Sequence, residues 1–258
     1  MPKPIHPDRR PAVVTGASSG IGATTALTLA AAGFPVALGA RRVEKLSEIV
    51  EQIRAAGGEA VAHHLDVTDD TSVQTFATAV TAELGDIEVL VSNAGHVAAG
   101  TIHEVPTEQF TDEINLNLLG AHRLVRAFVP SMVERQRGDV VFVSSDVAVR
   151  ARPFVSSYAA GKWGLEGMAH AMQMELEGSG IRVSLIRPGP TSSEMGTDWQ
   201  GEAAADVITG WAKFGHARHA RFLKPAAVAD AIATVVGAQR GVHLTVIEVT
   251  PEAPVETT

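Results

Sequence analysis

Short apolar runs alternate with longer segments of helical period along most of the chain. The runs fall at 12–15, 35–39, 60–65, 87–92, 140–144, 181–186 and 244–249, and each is the length of a buried strand. Between them, 44–56 places Leu46, Ile49, Val50 and Ile53 on one stripe and stops at Gly57 and Gly58. Segment 71–84 does the same with Val73, Phe76, Ala77, Val80 and Leu84. The longest pattern, 107–135, repeats Ile114, Leu118, Ala121, Val125, Phe128 and Met132 in steps of four and three, which predicts one continuous helix. A last helix starts with Pro225 as its first residue and carries Val228, Ile232 and Val235. Strand and helix in alternation require right-handed crossovers, so the expected fold is a seven-stranded parallel sheet covered on both faces, a doubly wound three-layer α/β/α domain.

No linker or repeat divides the pattern. Residues 1–11 are proline-rich and predict a flexible arm; 12–258 predict a single domain. The irregular stretch 189–224, with Trp199, Trp211, Phe214, His216 and His219, predicts a substrate loop or lid; a surface helix pair is the competing reading.

Composition narrows the chemistry. The chain has 258 residues, no cysteine and a formal charge of −8. Disulfides, thiol nucleophiles and Cys-ligated zinc are thereby excluded. An acidic chain with no clustered basic run makes a poor nucleic-acid partner. No segment has the length and hydropathy to span a bilayer, and the arm lacks the apolar core of a secretory signal, so the expectation is a cytoplasmic protein with no membrane partner. His216 and His219 lack a third ligand, and no metal site is expected.

The first strand runs into Thr15, Gly16, Ala17, Ser18, Ser19, Gly20, Ile21 and Gly22, followed by an alanine-rich helix. Gly16 permits a tight turn, Gly20 a close backbone approach, and Gly22 a helix packed near the strand; the helix N-terminus then faces an anion such as a pyrophosphate. The second strand ends Ala40, Arg41, Arg42. A guanidinium there suits a 2′-phosphate, whereas a carboxylate would suit a free 2′-hydroxyl.

With these motifs the chain resembles the short-chain dehydrogenase/reductase family. Thr15–Gly22 is similar to its cofactor loop. Ser92, Asn93, Ala94 and Gly95 resemble its Asn-Asn-Ala-Gly motif, with Ser in first place. Tyr158 and Lys162 resemble its catalytic pair, with Ser145 thirteen residues before the tyrosine, Asn117 in place of the helix asparagine, and Pro188 and Gly189 as the turn after the sixth strand. The resemblance implies NADP(H), through Arg41 and Arg42, in preference to NAD(H). It places Ser18, Ser19, Gly20 and Ile21 along the cofactor, Asp66 and Val67 by the adenine, Asn93, Ala94 and Gly95 by the ribose, and Thr191 or Ser193 at the carboxamide. It further implies that Asn117 anchors a water of a proton relay, and that copies associate as a homodimer or homotetramer.

Chemistry completes the expectation. Reducing a carbonyl needs a proton donor, and a phenol with an ordinary pKa near ~10 is a slow one. Lys162, one helical turn from Tyr158, is expected to lower that pKa together with the oxidised nicotinamide ring, and Ser145 to hold the substrate oxygen. The function expected is interconversion of a secondary alcohol and a ketone or aldehyde, on a small hydrophobic substrate. A 3-oxoacyl reductase and a non-catalytic dinucleotide sensor are the alternatives.

Overall fold

A computed structural model describes residues 8–196, 199, 202–216, 219 and 221–254, with 202–204 in backbone only. Seven strands form one parallel sheet: β1 (Ala12–Thr15), β2 (Val36–Ala40), β3 (Ala60–His64), β4 (Val89–Ser92), β5 (Gly138–Val143), β6 (Ile181–Pro188) and β7 (Val246–Val249). Their order is β3-β2-β1-β4-β5-β6-β7, so the chain reverses its direction of winding between β1 and β4. Such a reversal opens a crevice at the carboxyl ends of the strands.

Alternate strand residues feed two cores. Ala12 and Val14 of β1, with Val36 and Leu38 of β2, meet α1 (Gly20–Ala31), α2 (Val43–Ala55) and α8 (Pro225–Val236) on one face. Val13 and Ala37 point the other way, toward α3 (Asp70–Leu84), α5 (Gly120–Glu134) and α6 (Ser156–Glu175). Leu29, Leu46, Phe76 and Leu165 are fully buried, each contributing about 1.5–3 kcal/mol by leaving water.

Two expectations change. The helix expected at 107–135 is α4 (Thr107–Ile114) and α5, joined by a π-helical turn, Asn115–Leu119. Asn117 Nδ2 donates to the carbonyl of Glu113 at 3.0 Å, and this side chain–backbone bond sits where the ladder widens. The irregular stretch 189–224 contains α7 (Glu202–Lys213).

The described end of the N-terminal arm is braced against the body. Arg10 is 2% exposed; it donates to the Val236 carbonyl (2.7 Å) and to Glu88 (3.1 Å), and pairs with buried Asp139. Arg182 reaches the same carboxylate with two nitrogens, at 2.5 and 2.9 Å. Among the described residues, no helix is long and apolar enough to cross a membrane.

Candidate active site

The carboxyl ends of the strands enclose a cavity of about 1050 Å³. The glycine turn forms one end. Gly16 and Gly20 have φ of +63° and +53°, accessible mainly to glycine. A Cβ on Gly16 would stand 2.9 Å from Ala94 Cα, and one on Gly22 only 2.3 Å from the Gly16 carbonyl oxygen. The turn is therefore closed tightly enough that only hydrogen fits at either position. Thr15 Oγ1 accepts from the amides of Asn93 (3.0 Å) and Ala94 (3.1 Å), and Asn93 Nδ2 donates to the Thr15 carbonyl (2.9 Å), which sews β4 to the turn. Ser19 precedes α1, whose first turn carries no acidic side chain, and its positive end opens on the cavity, with the Glu194 carboxylate accepting from Ser19 beside it.

Arg41 and Arg42 line the cavity at the end of β2. Arg42 donates to Ser18 (2.9 Å) and Ser19 (3.0 Å) and forms an ion pair with Glu194, a residue of the loop after β6, at 2.7 Å. Asp66 accepts from the Thr68 amide (2.9 Å) and hydroxyl (2.7 Å). Partial burial pushes its pKa up, but those bonds, with Arg41 and His64, outweigh it and hold the carboxyl below its usual range. The cap of α3 is Asp69, which accepts from the Thr71 amide, so Asp66 remains at the cavity wall beside Val67.

Ser145 follows β5, and Tyr158 and Lys162 sit in the first half of α6; all three line the same cavity. Lys162 is 3% exposed and donates to the Val143 carbonyl at 2.8 Å. Burial pushes its ammonium down to about 8, against the pull of Glu166 one turn further on. Glu166 accepts from Ser144 (2.7 Å) and from two nitrogens of Arg187 (2.8 and 2.7 Å), tying α6 to the ends of β5 and β6.

The Tyr158 phenol is buried. Burial pushes it up to about 12; a Ser145 hydrogen bond opposes this, the carboxylates of Asp146 and Glu113 reinforce it, and Arg152 opposes it. Lys162, expected to lower that pKa together with an oxidised nicotinamide ring, stands close by. Its nitrogen lies 5.6 Å from the centre of the phenol ring and spends a donor on the Val143 carbonyl.

Of the residues singled out in the sequence, Ile21, Gly95, Pro188, Gly189 and Thr191 complete the cavity wall with those already named. Thr191 donates to the Gly189 carbonyl (2.9 Å), while Ser193 leans over the glycine turn, 3.1 Å from where a Gly20 Cβ would be. Asn117 stands behind the wall instead. It is buried, Oδ1 accepts from the His96 amide (3.3 Å) and Nδ2 donates to the His96 carbonyl (2.9 Å). A Cβ on Gly95 would lie 2.8 Å from Asn117 Oδ1 and 3.6 Å from Lys162 Nζ, so these two side chains flank Gly95. His219, Trp199 and Trp211 of the 189–224 stretch also reach the cavity.

Sequence reasoning passed over Asp146, Arg152, Glu113 and Glu166. Two of them had a signal: Asp146 adjoins Ser145, and Glu166 is four residues beyond Lys162, on its helical face.

A doubly wound parallel sheet whose glycine turn opens onto a bare helix end at the switch point defines a Rossmann-type α/β protein. The chain belongs to the short-chain dehydrogenase/reductase family: residues 10–203 match the sequence profile of the short chain dehydrogenases. It is 33% identical over 220 residues to the 3-oxoacyl-[acyl-carrier-protein] reductase FabG of Thermotoga maritima, covering 85% of this chain and 87% of that one. It is 36% identical over 224 residues to the glycine betaine reductase ATRR of Emericella nidulans, covering 86% of this chain but spanning only 17% of that protein's length. The alcohol dehydrogenase of the archaeon Thermococcus sibiricus, solved with 5-hydroxy-NADP, superposes with a TM-score of 0.81 at 30% identity, over 94% of this chain and 96% of that one.

Proposed function

We propose that the protein is an NADP(H)-dependent oxidoreductase that interconverts a secondary alcohol and a ketone or aldehyde, with Tyr158 as the acid/base. The observation that carries this reading is the convergence of Ser145, Tyr158 and Lys162 on the cavity whose other end is the glycine turn. The residues present suit a dinucleotide: a turn closed to any side chain, a bare helix end for a pyrophosphate, and two guanidiniums at the end of β2. When bound, the cofactor supplies or accepts the hydride.

The protein's own groups do the rest. The Ser145 hydroxyl donates to the substrate oxygen and holds it beside the Tyr158 hydroxyl. As that oxygen gains negative charge, the phenol hands over its proton. Burial keeps the phenol protonated through the neutral range, the form from which it can donate, and the positive charges of Lys162 and of an oxidised nicotinamide would favour release of that proton. Lys162 holds positive charge beneath the ring. Asn117, through its bonds to His96 and Glu113, fixes the backbone behind Gly95. Apolar Val147, Val155 and Trp199 in the wall support a hydrophobic substrate. The exposed Trp163 and Met174 on α6 support association of copies through that helix. The likeness to a 3-oxoacyl reductase makes a 3-oxoacyl substrate the second reading of the same chemistry.

The test is NADPH consumption with a panel of ketones, alongside titration of NADPH and NADH. Turnover with tighter NADPH binding is expected, and Tyr158→Phe should cut kcat about 10²-fold or more. A variant as fast as the parent would remove Tyr158 from the chemistry. NADPH binding with no turnover would leave a dinucleotide sensor.

A further inference from the structure

The loop after β6 lays one of its own carboxylates on a cation suited to the cofactor's phosphate. The base of the loop is pinned: the Ser192 amide donates to the Leu223 carbonyl (2.9 Å), and the Leu223 amide to the Pro190 carbonyl (2.8 Å). From there the chain crosses the glycine turn, with Ser193 Cβ 3.1 Å from where a Gly20 Cβ would be. Glu194 follows and comes down on Arg42. Its Oε2 lies 2.7 Å from Arg42 Nη2, and the same carboxylate accepts from Ser19. Arg42 first, then Ser19, with Lys45 of α2 adding positive field, hold this carboxyl below its usual range.

A guanidinium, a hydroxyl and the positive end of α1 are donors that suit a phosphate, and here an internal anion already uses them. Arg42 Nη2 carries two hydrogens. Three acceptors share them: Ser18 (2.9 Å), Ser19 (3.0 Å) and Glu194. A phosphate on this guanidinium must take over one of those contacts. The serines are neutral and can stay beside it; Glu194 carries the same sign of charge and is repelled. Its side chain is 57% exposed, so water receives the carboxylate when it leaves.

We propose that Glu194 sets the degree of cofactor preference: it occupies Arg42 as an internal stand-in for the 2′-phosphate, must be displaced by it, and so holds down the affinity for NADP(H) relative to NAD(H). This rests on the NADP(H) reading above and adds the residue that limits it.

The experiment measures dissociation constants by calorimetry for NADP+, NAD+, 2′-AMP and 5′-AMP on the parent and on Glu194→Gln. Glutamine keeps the length of the side chain and an acceptor for Ser19 but drops the charge. Half-exposed ion pairs are worth a factor of about five at most, so NADP+ and 2′-AMP should bind the variant about three- to fivefold more tightly. NAD+ and 5′-AMP should change by less than about twofold, because neither carries the 2′-phosphate that competes for Arg42. An equal gain for all four ligands would mean that Glu194 only fastens the loop over any nucleotide, and overturns the inference. An unchanged or weaker grip on NADP+ overturns it too. In both cases a parent that binds NADP+ more tightly than NAD+ keeps the NADP(H) reading. If neither protein distinguishes NADP+ from NAD+, Arg42 does not meet the phosphate, and both readings fall.

Discussion

Lys162 is the residue whose environment is most sharply balanced. Burial moves its ammonium down to about 8, and the carboxylate of Glu166 works against that burial. A depressed lysine keeps its charge below the depressed value and loses it as pH rises through it. If the ammonium beneath the phenol ring supports proton delivery, kcat for reduction should fall as pH rises through about 8. Glu166→Gln removes the group that favours the charged form, so the same decline should move to lower pH in a pH–rate profile. An inflection that stays where it was would show that Glu166 acts on Arg187 and Ser144 alone. The spacing of Tyr158 and Lys162 is legible in the chain because four residues make one helical turn. The value of either proton is not, because it depends on burial in the folded chain and, for the phenol, on Asp146 and Glu113, which come from two other segments. Arg152 illustrates the same limit: the segment around it reads as apolar, and only the fold sets its guanidinium between Asp146 and Trp211.

Elements carry these residues into register, and the π-helical turn between α4 and α5 shows how. Glu113, the last-but-one residue of α4, is buried; it accepts from the Ala98 amide (2.6 Å) and from the Ser157 hydroxyl, next to Tyr158. One carboxylate thus joins α4, the loop after β4 and the start of α6. At the far end of the turn Gly120 meets Val67, where a Cβ would stand 2.7 Å from Val67 Cγ2 and 3.2 Å from its carbonyl oxygen. Gly120→Ala should therefore cost about 1–3 kcal/mol by overpacking. Denaturant unfolding measures it, and Val67→Ala in the same chain should recover part of the loss. The apolar period through 107–135 announces helix correctly. It is silent on the widened turn, because a hydrogen bond from Asn117 to the Glu113 carbonyl leaves no trace in hydrophobic spacing. In the same way α7 is only half legible, because the stretch 189–224 reads as a loop or lid with a surface helix pair as the competing reading.

At the scale of the whole molecule, the two ends of the sheet differ. The carboxyl edge is open and holds the cavity. The amino edge is locked by charge: Asp139, 1% exposed, binds Arg10 and Arg182, and Arg182 continues to the carbonyls of Ala238 (2.9 Å) and Val242 (2.8 Å) past the end of α8. Asp139→Asn would leave two nearly buried guanidiniums without their shared anion, at a cost of about 3–5 kcal/mol. Chemical denaturation should show this as a lower midpoint with an unaltered slope. An unshifted midpoint would mean that the carbonyl acceptors suffice. The parallel sheet follows from the alternating pattern alone, but this lock does not, since its members lie 129 and 43 residues apart along the chain.

That lock gives Arg10 a standing its position near the chain's start would not suggest. A shortened version of this protein, or a cleavable fusion joined close to the first strand, must leave Arg10 intact. Trimming one residue too far would loosen β5, β6 and α8 at once, on the side of the molecule opposite the cavity.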